Sequence, residues 1–187
     1  IYEIIKGSGF RVDFSDAEGY ILRSFCDEDT LEICEKTNSF PGANRQEAVA
    51  GTNSIGIALL TGKPIQVAGA EHYLQTFHRW ACSSAPIKQE NGKVLGVLSI
   101  AGRYELVHFH TLALVSSAAK AIENELFIHK INQQLEASNS QLRATLETVT
   151  DGVVYLAGDK IMQVNRKMCS LIRSEERRVG KECMPVC

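Results

Sequence analysis

The chain has 187 residues, of which 44% are hydrophobic, and a formal net charge of −2. This length and composition suit one ordinary domain or slightly more, and the near-neutral charge predicts no nucleic-acid contact by this segment. No apolar run approaches the roughly 18–20 residues that cross a bilayer, no secretory signal is present, and the six cysteines lack metal-like spacing, so we expect a reduced, cytoplasmic protein without membrane contact.

The first element in chain order is a predicted β-hairpin over residues 9–25, GFRVDFSDAEGYILRSF. Residues 16–19 supply the turn, and polar residues alternate with apolar ones on either side of it. The apolar positions of the two strands are Phe10, Val12, Phe14, Tyr20 and Leu22. After the hairpin, Asp27 or Asp29 is placed to cap a helix that runs to about Lys36.

The stretch GTNSIGIALLTGKP, residues 51–64, has the glycines and the Gly-Lys pair of a phosphate-binding loop. A Walker loop needs a shorter spacing and a Ser or Thr after Gly-Lys, whereas five residues separate Gly56 from Gly62 here and Pro64 takes the hydroxyl position. The pattern instead predicts a short buried helix. One of residues 52–54 caps its beginning, and Gly62 ends it in a left-handed conformation.

Three elements are predicted in the middle of the chain. PIQVAG, residues 64–69, reads as a brief strand, and EHYLQTFHRW, residues 71–80, reads as a helix. The apolar face of that helix would carry Tyr73, Leu74, Phe77 and Trp80. Residues 81–102 predict a second hairpin with its turn at Asn91-Gly92, and its second strand is apolar on both faces, as expected for a central strand.

A long helix is predicted from His108 to about Thr150. The residues expected to pack its first part against the domain are Leu112, Val115, Ala119 and Ile122. Residues 128–146 form a linker with heptad spacing, weakened by Ser138 and Thr145 in the seam. Two copies pairing in parallel would bury this seam, so we predict a homodimer. The apolar seam positions are Ile128, Ile131, Leu135, Leu142 and Val149.

The last part of the chain divides into two segments. Residues 147–172 predict the start of a second domain, with strands at 153–155 and 161–164 and a helix that is cut short. Residues 173–183, RSEERRVGKEC, match residue for residue the translation of a common short-read sequencing adapter, so we interpret 173–187 as an artefact. Because the chain begins without Met and stops in mid-pattern, we interpret it as a fragment of a longer protein.

Several of these stretches together resemble one family of sensory domains. EAVAGTNSIGIALLTGKPIQVAGAEHYL, followed by CSSAPIKQENGKVLGVLSIAG and HTLALVSSAAKAIENELF, is similar to the GAF-type domain of sigma-54-dependent transcriptional activators. The subgroup it resembles regulates acetoin and dihydroxyacetone or glycerol catabolism. The resemblance covers residues 1–127, and the segment that opens the second domain, residues 147–172, resembles the start of a PAS domain.

The resemblance implies an α/β fold with a mainly antiparallel sheet flanked by helices, followed by a long signalling helix. It also implies a non-catalytic, signal-sensing module that binds a small-molecule effector or a regulatory protein. In such regulators an ATPase domain and a DNA-binding helix-turn-helix follow, and neither stands in this chain. The resemblance specifies neither a cofactor nor a particular ligand.

The candidate pocket residues follow the predicted strand that ends at Gly69. We expect Glu71, His72 and Tyr73 at the mouth of a pocket. The complete candidate ligand set is Glu71, His72, Tyr73, Phe77 and Cys82. The alternative for these positions is a helix cap and core packing.

A metal or redox sensor, or an enzyme, on the same fold is the alternative function. The residues that would converge on a metal such as non-haem iron are His72, His78, His108, His110 and Cys82. The histidine pairs lack i, i+4 spacing and no acidic ligand is placed among them, so we predict no metal site. A redox or nucleophilic role for Cys82 would require a depressed pKa, and we predict that Cys82 is a core thiol and that the chain has no catalytic residue.

Overall fold

The computed structural model divides the chain into two compact units, Ile1–Ile128 and His129–Cys187, and each is described here by itself. The helix predicted between Asp27 and Lys36 lies outside the described residues. The residues that the structure describes are 5–27, 37, 39–106 and 108–179.

The first unit contains a five-stranded antiparallel sheet. Its strands are β1 (Arg11–Asp16), β2 (Ile21–Phe25), β3 (Ile65–Ala68), β4 (Trp80–Lys88) and β5 (Val94–Arg103), in the spatial order β2-β1-β5-β4-β3. Every neighbouring pair runs antiparallel. The predicted α/β class with a mainly antiparallel sheet is therefore confirmed, and the apolar strand β5 lies at the centre of the sheet as expected.

Helices complete the first unit and continue beyond it. They are α1 (Glu47–Ala50), α2 (Ser54–Thr61) and the long α3 (Phe109–Thr148), with short 3-10 turns at Gly69–Glu71 and Gln75–Phe77. The long helix occupies the range that the sequence predicts to within two residues at each end.

One face of the sheet packs against the first part of α3. Val12 of β1 and Ile100 of β5 form a buried cluster with Val115 and Ala119 of the helix. Leu112 and Ile122 pack against the edge of the same cluster. Burying an aliphatic side chain of this size stabilises the fold by about 1.5–3 kcal/mol. The predicted packing face of α3 is confirmed.

The other face of the sheet carries α2, whose ends are set by local chemistry. The Asn53 side-chain oxygen accepts a hydrogen bond from the Gly56 backbone N–H at 2.9 Å, and Gly62 closes the helix at φ 62°. Ala58 is fully buried against Val97 of β5. The short capped helix predicted from the glycine-rich stretch is confirmed.

The helix predicted over residues 71–80 is wrong. Trp80 is the first residue of β4 and pairs with Arg103, and before it the chain forms only the short 3-10 turns at Gly69–Glu71 and Gln75–Phe77. The backbone hydrogen bond from Tyr104 N–H to the Arg79 carbonyl, at 2.8 Å, draws this segment toward the sheet. Apolar spacing alone cannot distinguish a helical face from irregular turns that each bury one side chain.

The apolar face predicted for the second strand of the first hairpin is also wrong. Tyr20 and Leu22 are exposed, and Ile21 between them is buried. A register shift lies between Phe14 and Ser15, where Ser15 pairs with Ile21. An irregularity of this kind inserts an extra residue on one strand and reverses which side chains face inward.

The second unit contains a hairpin and a helix. They are β6 (Val154–Ala157), β7 (Lys160–Val164) and α4 (Arg166–Val179). The two predicted strands are present within two residues of their expected positions. The interpretation of residues 173–187 as an adapter artefact stays a prediction, as do the domain boundaries.

Asn165 ties three parts of the second unit together. Its side-chain amide is buried, at 3% exposure, and donates to the carbonyl oxygens of Leu146 at 3.2 Å and Asp151 at 2.9 Å. Its side-chain oxygen accepts from the backbone N–H groups of Val153 at 2.9 Å and Met168 at 3.0 Å. One side chain thus joins the end of α3 to the strand β6 and to the first turn of α4.

Replacing Asn165 with Ala is expected to destabilise the second unit. Each backbone group left buried without a partner costs about 1–3 kcal/mol, so we expect a loss of at least about 2 kcal/mol. Amide hydrogen exchange at Val153 and Met168 measures the effect directly and should accelerate. Asn165→Asp is the comparison variant, because it keeps the acceptor for these two amides while it replaces the donated bonds by contacts between a carboxylate oxygen and two carbonyl oxygens. Unchanged exchange in the Ala variant would contradict the assignment.

Within the described part of the chain, no helix combines the length and the apolar character required to cross a membrane.

Candidate functional site

The sheet face opposite α3 forms one wall of a cavity of about 50 Å³. Side chains alternate along a strand, so Arg11 and Asp13 of β1 point away from the face that carries Val12. The register places Asp13 opposite Ser99 and Arg11 opposite Ala101 of β5. The sheet residues that line the cavity are Arg11, Asp13, Trp80, Cys82, Ser99 and Ala101.

Segments around α2 and the 3-10 turns cover the cavity. They contribute both polar and apolar side chains: Ser39, Arg45, Ser54, Ile55, His72 and Phe77. Most of the polar members are buried rather than solvent-facing. A buried cavity with a few convergent polar groups is the usual form of a small-molecule site.

A buried ion pair lies on the β1 wall. Arg11 Nη2 is 2.6 Å from Asp13 Oδ1, and Arg11 also donates to the Ser24 hydroxyl at 2.9 Å. Ser24 in turn donates to the same Asp13 oxygen. Burial raises the pKa of the Asp13 carboxyl above its ordinary value, and the nearby Arg11 opposes that rise. Desolvation therefore outweighs the attraction within the pair, as is common for buried ion pairs.

The chain around α2 positions Arg45 at the cavity. The side-chain amide of Asn53 donates to the Arg45 carbonyl at 2.9 Å and to the Gly51 carbonyl at 2.7 Å. A Cβ at Gly56 would lie only 2.7 Å from the Arg45 carbonyl oxygen, so this close approach requires glycine. The glycine-rich stretch thus holds a cavity residue in place, and does so through packing rather than phosphate binding.

The guanidinium of Arg45 has polar and aromatic neighbours. It donates to the Thr37 carbonyl at 3.2 Å and to the Ser39 hydroxyl, and it lies 5.1 Å from the centre of the Phe77 ring. Burial first, and then the nearby Arg11, lower the pKa of Arg45. A guanidinium is positively charged and only donates hydrogen bonds, so Arg45 adds positive charge and no acceptor to this wall.

His72 is buried with its ring held by the backbone. Nδ1 lies 3.1 Å from the Gly69 carbonyl oxygen, while Nε2 has no hydrogen-bond partner among the described residues. Burial lowers the pKa of His72, and His78 adds to this, whereas the Gly69 hydrogen bond and Glu71 oppose it. His78 is fixed in turn because its Nε2 lies 3.1 Å from the His72 carbonyl oxygen, to which it donates.

Cys82 projects from β4 into the cavity as a protonated thiol. Burial, reinforced by Asp13, raises its pKa to about 12. The thiolate form that nucleophilic or redox chemistry needs is therefore scarce at neutral pH.

The structure separates the five candidate ligand residues into two groups. His72, Phe77 and Cys82 line the cavity. Glu71 and Tyr73 do not: the Glu71 carboxylate accepts from the Ala68 backbone N–H at 2.8 Å, and Tyr73 is 73% exposed.

The histidines considered for a metal lie in different places. His108 and His110 stack on each other at 4.4 Å between ring centres, at the beginning of α3, and do not line the cavity. Among the described residues, no group of three or more His, Cys, Asp or Glu side chains is arranged to hold a metal ion.

Three charged residues of the cavity are absent from the sequence-based site. Arg11, Asp13 and Arg45 are all buried against it. A signal for the first two is present in the sequence, since charged residues alternate with Phe10, Val12 and Phe14. That pattern ordinarily indicates a solvent-facing strand surface, and only the covering segments make it a cavity wall.

The predicted seam residues lie on the surface of α3 or just beyond its end. Ile128, Ile131, Leu135 and Leu142 are exposed, and Val149 follows the last helical residue, Thr148. The predicted seam therefore extends beyond the end of the helix by its last residue, Val149.

Acidification is expected to destabilise the first unit through His72. Because its folded pKa lies below the ordinary value of about 6.5, the folded state binds fewer protons than the unfolded chain. The stability that His72 contributes to the folded first unit is fully present above pH 6.5 and is lost as the pH falls through the folded pKa of His72. Fluorescence of Trp80, the single tryptophan, during urea unfolding should report this slope. The slope should flatten in His72→Gln but persist in His110→Gln, and an unchanged slope in His72→Gln would contradict the prediction.

Comparison with protein families places most of the first unit in one group. The family model described as "MimR, N-terminal domain" matches residues 5–124. This range contains the whole five-stranded sheet and the cavity residues.

Individual relatives agree with this match. A signal-transduction and transcriptional-control protein of Clostridium beijerinckii is 33% identical over 180 residues, which are 96% of this chain and 28% of the relative. The acetoin dehydrogenase operon transcriptional activator AcoR of Bacillus subtilis (strain 168) is 35% identical over 121 residues, or 65% of this chain and 20% of that protein. This chain therefore spans less than a third of either relative.

A solved structure shares the fold. The crystal structure of the E. coli DhaR(N)-DhaL complex contains a chain that superposes with a TM-score of 0.84 at 22% identity. The match covers 92% of this chain and 59% of the other.

Proposed function

The chain belongs to the MimR N-terminal domain family, and from this membership we propose that it is the signal-sensing part of a bacterial, sigma-54-dependent transcription activator. Relatives named as transcriptional activators of catabolic operons support this proposal. The chain would sense a signal in the cytoplasm and regulate an ATPase and DNA-binding output elsewhere in the protein. It would not itself catalyse a reaction or contact DNA.

The observation that carries this proposal is the cavity between the sheet and the segments around α2. Its wall combines the buried charged groups Arg11, Asp13 and Arg45 with the apolar surfaces of Ile55 and Phe77. A fold that needed only a core would avoid the desolvation cost of charges at this place. We therefore take the cavity as the effector site.

Thermal melting with candidate effectors tests the proposal. Small polyols, ketones, diketones and aromatic molecules would be screened against the whole chain, because a ligand that binds only the folded state stabilises it by about 2.7 kcal/mol at 100 times its dissociation constant. Ala101→Leu adds volume in the cavity and should abolish the shift. Ala144→Leu adds the same volume at an exposed position of α3 and should leave it intact.

A regulatory protein is the second kind of signal that we consider. The solved relative is described as a DhaR(N)-DhaL complex, which supports a protein partner for this family of domains. If the cavity variant Ala101→Leu retains signal response in the full-length activator, the protein partner is favoured over a cavity ligand.

We further propose that two copies associate in parallel through the seam of α3. The exposed apolar residues at heptad spacing, Ile128, Ile131, Leu135 and Leu142, support this pairing. Dimerisation would hold two sensing units side by side, so that a small rotation at the sensor changes the register of the paired helices.

A metal or redox sensor on this fold is the alternative function. The protonated Cys82 thiol argues against thiol-based catalysis. Metal analysis of the purified protein and a thiol-peroxidase assay separate the alternatives. Stoichiometric iron or peroxide turnover would favour the alternative over the proposed non-catalytic sensor.

A further inference from the structure

Among the described residues, no group forms a hydrogen bond with one buried ring nitrogen of His72. The residue lines the cavity and is 3% exposed. Nδ1 is engaged by the Gly69 carbonyl, and Nε2 lies on the other side of the ring without a partner among the described residues. Buried polar atoms in folded proteins are normally satisfied, so an exception at a cavity wall points to a bound molecule.

The chemistry of the ring determines what Nε2 can bind. A carbonyl oxygen only accepts hydrogen bonds, so the hydrogen of the neutral ring resides on Nδ1. Burial and the neighbouring His78 favour the neutral ring, and Glu71 is the charged group that opposes them. In this tautomer Nε2 is an acceptor, and its partner must be a hydrogen-bond donor.

The other walls of the cavity restrict the chemical groups that the remainder of the bound molecule can contain. The guanidinium groups of Arg11 and Arg45 line the same cavity and place positive charge at its wall, which favours a polar oxygen atom in the bound molecule. The apolar surfaces of Ile55 and Phe77 suit a short carbon skeleton. A bound molecule that fits all of these walls contains oxygen, carries at least one donor, and is otherwise apolar.

The cavity volume limits the size. A water molecule needs about 10–15 Å³ on the scale where this cavity measures about 50 Å³. The cavity therefore accommodates a molecule of about three to five non-hydrogen atoms. Larger effectors would require the covering segments to move.

We propose that His72 Nε2 is the acceptor that selects a small hydroxyl-bearing effector, whose O–H group donates to the ring nitrogen. Alcohols and hydroxyketones belong to this class, and ketones of equal size do not. This inference rests on the proposed function, because it takes the cavity as the effector site.

Two matched pairs of probes test the selection. Hydroxyacetone and butan-2-one differ by a hydroxyl in place of a methyl group, and propan-2-ol and acetone differ by a hydroxyl in place of a carbonyl. The whole chain, labelled with ¹⁵N in its histidine rings, would be titrated with each probe. Affinities come from the titration, and the ¹⁵N resonance of His72 Nε2 reports whether this atom receives a hydrogen bond.

We expect the hydroxylated member of each pair to bind about tenfold more tightly or better, since an unpaired buried acceptor costs about 1–3 kcal/mol. Only that member should shift the Nε2 resonance. His72→Phe keeps an aromatic ring but removes the acceptor, and it should bring the affinity ratio close to one. His110→Phe, the same substitution at an exposed histidine, should keep the ratio.

Three results would overturn the inference, and they differ in whether they also overturn the proposed effector site. Equal binding within each pair, with an unmoved Nε2 resonance, refutes the role of His72 but leaves the cavity as the effector site. No binding of any probe refutes this inference alone, because other effector classes remain open to the cavity. Binding that persists in Ala101→Leu refutes both this inference and the proposed effector site. The resonance in the unmodified chain decides the question even if His72→Phe fails to fold.

Discussion

A chain carrying Leu135→Asp and Leu142→Asp is expected to sediment as a folded monomer, whereas we expect the unmodified chain to sediment as a dimer. Both leucines are exposed in the single chain, at 57% and 60%, so pairing would bury a large part of each side chain. We estimate about 1–2 kcal/mol for each, below the 1.5–3 kcal/mol of full burial. With four such side chains in a dimer, their loss weakens association by roughly a thousandfold or more.

Sedimentation at tens of micromolar protein measures this effect. Ala137→Asp with Ala144→Asp is the matched control, because it adds the same charges to α3 two residues after Leu135 and Leu142, at positions that are not part of the heptad seam. This control should remain dimeric. Circular dichroism confirms that each variant retains its helix. If the unmodified chain is already a monomer, the seam does not pair and α3 serves only as a connecting helix.

Replacing Asp13 with Ala is expected to destabilise the first unit by about 3–5 kcal/mol. The substitution removes the carboxylate that Arg11 contacts at 2.6 Å and leaves a guanidinium in a buried wall. Trp80 lines the same cavity and is the single tryptophan, so its fluorescence during urea unfolding reports this unit specifically.

A double variant distinguishes the cost of leaving one buried charge without its partner from the net contribution of the ion pair to stability. Arg11→Met with Asp13→Leu removes both charges at similar volume and should be close to neutral, since buried pairs contribute little beyond their desolvation cost. A double variant as unstable as Asp13→Ala would show that the pair itself stabilises the fold, contrary to our expectation.

The pH dependence of Asp13 has the opposite sign to that of His72. Because burial raises its pKa, the folded state holds the Asp13 proton more tightly than the unfolded chain does. The associated stability is present below the ordinary pKa of 3.8 and is lost as the pH rises through the folded pKa. The two effects therefore oppose each other in sign, and each disappears in the corresponding variant.

Elements with a local cause could be predicted from the sequence. Asn53 and Gly62 set the ends of α2 through caps that involve only neighbouring residues. Asn91-Gly92 sets the turn of the second hairpin, where Gly92 adopts φ 82°. The packing face of α3 follows from its helical period. In each case the physical cause lies within a few residues of the element.

Elements that depend on distant contacts could not be predicted. Residues 71–80 have helical spacing, but pairing of Trp80 with Arg103 takes their end into the sheet. The register shift at Ser15 reverses the face of β2, and Ile21 is buried where Tyr20 and Leu22 are expected.

The residues of the candidate site also fall into those that the sequence indicates and those that depend on distant contacts. The sequence by itself indicated the sensory family, the sheet, and three residues that line the cavity, His72, Phe77 and Cys82. It did not indicate Arg11 and Asp13, because alternation along a strand distinguishes two faces without saying which is covered. Only the tertiary structure, in which the segments around α2 cover the polar face of the sheet, decides that these charges are buried at a cavity instead of solvated.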